Sequence, residues 1–128
     1  MALESKQAVT AIAVSDMTRA REFYEGKLGL SPSAERPDGG VRYPCGGGTL
    51  IHVYPSPANA GSSTATQVGF EVDEIEATVD ELTAKGVTFE QYDTDPIKTD
   101  AKGIAQIGEA SGAWFKDPDG NILAIVEE

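Results

Sequence analysis

The chain reads twice. Residues 8–30, AVTAIAVSDMTRAREFYEGKLGL, and residues 66–87, TQVGFEVDEIEATVDELTAKGV, present the same order of features once Val14 is set against Val72. Each copy offers an apolar strand, an acidic turn, an amphipathic helix and a glycine that ends it. In the first copy Thr10, Ile12 and Val14 alternate with Val9, Ala11 and Ala13, as in a strand covered on both faces. In the second, Val68, Phe70 and Val72 alternate with Gln67, Gly69 and Glu71. Asp16 and Asp73 are helix N-cap types, and Asp73 has Glu76 at the capping-box spacing. Met17, Ala20, Phe23, Tyr24 and Leu28 form one helical stripe, and Ile75, Val79 and Leu82 form the other. Gly29 and Gly86 suit helix C-termini.

Each helix is followed by shorter strand candidates. These lie near 32–36, 40–45 and 49–54 in the first half, and near 87–92, 104–115 and 121–127 in the second. The turns between them are RPDGG, CGGG and, before the last strand, KDPDGN. The reading is therefore one α+β domain over 1–128, built of two β-α-β-β-β modules, 1–55 and 66–128, with a linker at 56–65 in a Pro-, Ala-, Gly- and Ser-rich stretch. A β-α-β-β-β unit covers one face of its sheet with the helix and leaves the other bare. Two such units are expected to pair their bare faces around a concave cavity. Residues 92–110 are expected as a long hairpin that either covers the opening of that cavity or extends the surface to pack against a partner chain.

Charge excludes some partners. Twenty-one acids against 10 bases give a formal net charge of −11, which disfavours nucleic acid and anionic membrane surfaces. No apolar run approaches the roughly 18 residues of a membrane span, and the first ten residues, MALESKQAVT, contain no signal-peptide core, so a cytoplasmic location is expected. The single cysteine, Cys45, and the single histidine, His52, flank a Gly-rich turn; a partly buried structural thiol is the expectation for Cys45. CGGG lacks the strand-to-helix setting of a phosphate loop.

The paired modules, with VSDMTRAREFYEGKLGL after the first strand and FKDPDGNILAIVE at the end, resemble the vicinal oxygen chelate superfamily. That group includes glyoxalase, bleomycin-resistance proteins, fosfomycin-resistance enzymes, extradiol dioxygenases and methylmalonyl-CoA epimerase. The resemblance implies the paired-module fold, a homodimer and, in the metal-dependent members, a divalent ion in the cavity. Mapped by motif, the metal positions fall on Val9, His52, Gln67 and Ala124. Val9 and Ala124 have no donor atom, and a neutral amide such as Gln67 is a poor ligand. No metal and no other cofactor is expected on that basis. One histidine cannot supply the two that an iron facial triad requires.

The expected ligand-binding residues are His52, Gln67, Tyr54, Glu71 and Trp114, with Tyr43 and Tyr92 as further aromatic walls. His52 alternates with Ile51 and Val53 and so faces the opposite side, with Tyr54. Glu71 is placed on the same strand face as Gln67. The leading expectation is a glyoxalase/bleomycin-resistance-like protein that binds a small organic molecule between its modules without metal. The alternative is a lyase or isomerase that uses His52 and Gln67, with or without a divalent ion. The sequence leaves catalytic residues unassigned.

Overall fold

A computed structural model describes residues 2–128. The chain divides into two compact units, the first ending at Gly61 and the second running Ser62–Glu128. In the first, strand β1 (Val9–Val14) leads into helix α1 (Met17–Arg21), which continues as a π-helical turn (Glu22–Lys27). Strands β2 (Ala34–Glu35), β3 (Val41–Pro44) and β4 (Leu50–Pro55) follow. The second unit repeats the plan with β5 (Thr66–Glu71), α2 (Ile75–Ala84), β6 (Ile104–Ile107), β7 (Ala110–Lys116) and β8 (Ile122–Glu127). The sheet orders are β1-β4-β3-β2 and β5-β8-β7-β6, with the first and last strand of each module paired in parallel and the rest antiparallel. The fold is thus α+β, two β-α-β-β-β modules. No helix among the described residues is long and apolar enough to cross a membrane.

In the first module the helix-side face carries Ile12, Val14, Val41, Tyr43, Ile51 and Val53, all buried under Ala20, Phe23 and Tyr24. Adjacent residues of an α-helix point about 100° apart, yet Phe23 and Tyr24 are both buried. The π turn makes this possible: Leu28 N–H reaches back five residues to the Phe23 carbonyl, widening the helix locally. The two rings meet edge to face at 5.3 Å. Tyr43, expected as a ligand wall, belongs instead to this core. It stacks on Tyr24 at 6.1 Å and donates its hydroxyl to Glu25 Oε2 at 2.9 Å. Tyr43 lies one step out of phase with His52, which puts it on the helix side. Burial, then the neighbouring Glu25 charge, pushes the Tyr43 pKa up. Burial would also raise Glu25, but hydrogen bonds from Arg21, 2.7 Å away, and Tyr43 outweigh it and leave the carboxyl below its usual range.

The second module differs from expectation in three places. Residues 87–92 form no strand; only Phe89 makes an isolated bridge, to Phe115. This segment is a loop fastened by Thr99, whose N–H donates to the Tyr92 carbonyl and whose hydroxyl accepts from Tyr92 N–H. The expected single strand over 104–115 folds back on itself as β6 and β7. Gly108, at φ +60°, takes the first turn position, where a two-residue hairpin requires left-handed backbone. The single hairpin expected over 92–110 is therefore two: a small one closed by Asp93 and Lys98, and β6–β7. Finally, Asp73 does not cap α2. Glu74 occupies the cap position without a side-chain bond, and Ile75 N–H donates to Glu127 Oε1 at 2.8 Å. Strand β8 brings a distant carboxylate to the helix end and displaces the local capping box.

Candidate functional site

Each sheet has one helix-free face, and strand register decides what stands on it. In the first module His52 lies between Ala11 of β1 and Arg42 of β3. Ile51 and Val53 point the other way into the core, at 2% and 0% exposure. The half-buried His52 is oriented from the RPDGG turn. Asp38 Oδ2 lies 2.8 Å from His52 Nε2, and Asp38 Oδ1 accepts Gly40 N–H at 2.7 Å. The hydrogen bond from His52, then that from Gly40, holds the Asp38 carboxyl below its usual range. Tyr54, two residues along the same face, lies nearly parallel to the imidazole, with centroids 5.7 Å apart. His52 Nδ1 and Arg42 Nε are buried and have no hydrogen-bond partner among the described residues.

Gly40 is what lets the ring sit there. A Cβ on residue 40 would fall 2.7 Å from His52 Cε1, 2.7 Å from the Val53 carbonyl oxygen and 2.9 Å from Asp38 Oδ1. Gly40→Ala is therefore expected to cost about 1–3 kcal/mol, the usual range for forced overpacking, and to break the Asp38–His52 pair. Urea unfolding reads the first effect. The second shows in the imidazole ¹⁵N shifts, unambiguous because the chain has one histidine. Wild-type shifts in a folded Gly40→Ala protein would show that the seat is not tight.

In the second module the corresponding row is Gly69, Ala124 and Trp114. Ala124 is the register equivalent of His52, and Trp114 of Arg42. Trp114 lies against Gly112, where a Cβ would stand 3.2 Å from the indole, and Tyr92 meets it edge-on at 5.8 Å. A glycine thus precedes the key residue by two positions in both modules, Gly40 before Arg42 and Gly112 before Trp114.

The predicted residues are distributed unevenly. His52 and Tyr54 stand together, and Trp114 stands beside Ala124. Gln67 is displaced by a β-bulge between Thr66 and Val68 and donates its amide to the Ala65 carbonyl at 3.1 Å. The bulge breaks the alternation that placed Gln67 and Glu71 on one face. Glu71 is exposed at the end of β5, opposite Val126. Asp38, Gly40 and Arg42 were missed. Their signal was an Asp-Gly-Gly turn and a short hairpin: pairing Pro44 with Leu50 across CGGG fixes Arg42 opposite His52. Cys45 donates weakly to the Tyr43 carbonyl, and burial pushes its thiol pKa up, the reverse of what a nucleophile needs. Among the described residues, no cluster of three or more His, Cys, Asp or Glu is placed to hold a metal ion.

This two-module plan is one that other proteins share. Residues 6–125 match the model of the Glyoxalase/Bleomycin resistance protein/Dioxygenase superfamily, and the chain belongs to that superfamily. The uncharacterized protein YurT of Bacillus subtilis (strain 168) is 30% identical, over 96% of this chain and 99% of its own. Two solved structures share the fold, each with a TM-score of 0.70 and 24% identity. TnmS3, an antibiotic binding protein from Streptomyces sp. CB03234, aligns over 99% of this chain and 98% of its own. A glyoxalase / bleomycin resistance protein from Catenulispora acidiphila DSM 44928 aligns over 95% and 97%.

Proposed function

We propose that this chain binds a small organic molecule on the helix-free faces of its sheets, without a metal ion. The observation that carries the reading is the aromatic surface built there: Trp114 against Gly112 with Tyr92 at its edge, and Tyr54 parallel to His52. Flat rings beside small residues such as Ala124 and Gly69 grip planar or extended apolar ligands. The description of TnmS3 as antibiotic binding supports the same class of role. The donor set does not fit a divalent ion. Val9 and Ala124 offer no donor, which leaves only the Gln67 amide oxygen and the His52 ring, short of the three protein donors such a site needs. The role extends to a homodimer, since edge strand β6 leaves Ile107 44% exposed for a second copy to cover.

Trp114 is the only tryptophan, so its emission reports on one place. Titration with a series of planar aromatic compounds should quench or shift it saturably. A native mass spectrum of the purified protein should show twice the 13.5 kDa chain, without a bound transition metal. A flat titration across the series, or one tightly held metal per chain, counts against the proposal.

A second reading, a lyase or isomerase, draws on the Asp38–His52 pair, in which a carboxylate orients an imidazole as in many general bases. Its test is exchange of an acidic C–H of a ligand, found by titration, in deuterated buffer. Exchange that disappears in His52→Gln supports catalysis, and no exchange with ligand bound leaves simple binding.

A further inference from the structure

We infer that Arg42 and His52 together form a clamp for a ligand edge that carries a carbonyl oxygen beside an N–H, as in a lactam. This rests on the reading that the face binds a small molecule and names the chemistry the face selects.

Arg42 and His52 are cross-strand partners, which sets their Cβ atoms about 4.5–5.5 Å apart on one face. Each carries one buried polar atom without a partner, Arg42 Nε and His52 Nδ1. Arg42 makes no ion pair among the described residues, although acids outnumber bases two to one in the chain. Unpaired buried groups cost stability and are uncommon in folded proteins, so two on neighbouring residues mark a place where something else completes the bonding.

The Asp38 contact decides what each atom offers. A carboxylate only accepts, so the His52 Nε2 that faces it carries the hydrogen. Nδ1 is then a lone pair. The doubly protonated ring would instead bury an unpartnered charged N–H there, which costs more than an unpartnered acceptor. Arg42 Nε–H can only donate. The pair therefore offers one donor and one acceptor from neighbouring residues of one face. A carboxylate matches the donor alone; a lactam or similar cis-amide edge matches both. Tyr54, parallel to the imidazole, continues the flat surface for the ring that bears the edge. Both clamp atoms are covered in the structure, so binding requires the side chains that cover them to move aside.

The test uses full-length ¹⁵N-labelled protein with quinolin-2(1H)-one and its N-methyl derivative, which keeps the carbonyl and loses the N–H. The lactam should bind about tenfold more tightly, the usual worth of one buried hydrogen bond. It should shift both the His52 Nδ1 resonance and the Arg42 Nε–Hε cross-peak. His52→Phe should lower lactam affinity to that of the N-methyl compound. Should that variant fail to fold, the wild-type resonances still decide. Equal affinities with the His52 and Arg42 signals unmoved, while Trp114 emission responds, overturn the clamp and leave aromatic binding standing. No binding of either compound up to its solubility limit also overturns the clamp. Only failure of the whole aromatic series in the Trp114 titration overturns the underlying reading.

Discussion

Phe115→Ala should remove about 3–5 kcal/mol of stability, the range for emptying a fully packed aromatic site, whereas Trp114→Ala, one residue earlier, should remove about 1 kcal/mol, as expected for a half-exposed side chain. Phe115 is 1% exposed, opposes Leu123 and meets Phe89 edge to face at 5.5 Å. Trp114 points to the opposite face and is half-buried. Their functional effects should reverse. Phe115→Ala, wherever it remains folded, should still bind aromatic ligands, and Trp114→Ala should lose most of that affinity. Urea midpoints at unchanged slope read the stabilities. Calorimetric titration reads the binding, because the fluorescent reporter is gone in the second variant. Equal destabilisation by the two substitutions would make Trp114 a core residue and leave the helix-free face without its main contact surface.

The second large effect is expected at Asp117. Its Oδ1 accepts the backbone N–H groups of Asp119 and Asn121, and its Oδ2 accepts the Asn121 side-chain amide, all at 2.9 Å. Asp117 and Asn121 are only 5% and 4% exposed. Asp117→Ala removes all three of these hydrogen bonds, two of them to a buried residue. The expected loss is about 2–4 kcal/mol, since hydrogen bonds to a buried charge are among the costlier ones to break. Asp117→Asn keeps one acceptor oxygen and should lose roughly half as much. Denaturant unfolding gives both values, and faster amide exchange at Asn121 would place the change at the turn. A loss under about 0.5 kcal/mol for Asp117→Ala, the level of an ordinary surface substitution, would mean that the turn forms without its hub.

KDPDGN shows what was legible and why. Turn chemistry is local, so Pro118, Asp119 and Gly120 announce the reversal, and the apolar runs on either side announce a strand before it and β8 after it, though not the fold-back at Gly108 that separates β6 from β7. The duplicated strand and helix could be read for the same reason. What failed were features set by distant partners. Glu127 caps α2 from 52 residues away, and no local pattern around Asp73 encodes that. The bulge at Gln67 appears only when β5 is laid against β8. At the site, His52 and Tyr54 could be placed because period-two alternation suffices. Asp38 and Arg42 could not, because their roles depend on how β3 and the RPDGG turn approach β4. Residue type alone suggests Tyr43 as a ligand wall, whereas its phase relative to His52 places it in the core.

The glycines at 40 and 112 bear on how such a protein can change. Each leaves the backbone bare beside a ring, the imidazole in one module and the indole in the other. The residues at the equivalent positions around them have diverged completely, Arg42 against Trp114 and His52 against Ala124. One frame thus tolerates a charged, hydrogen-bonding surface in one copy and an aromatic one in the other. New ligand preferences are therefore reachable by exchanging these four side chains while the helix-side cores remain as they are. A combinatorial library confined to the part-exposed positions 42, 52 and 114, with only small residues at the 3% exposed Ala124, explores recognition at least cost to folding, and the two glycines are the positions such a library should leave alone.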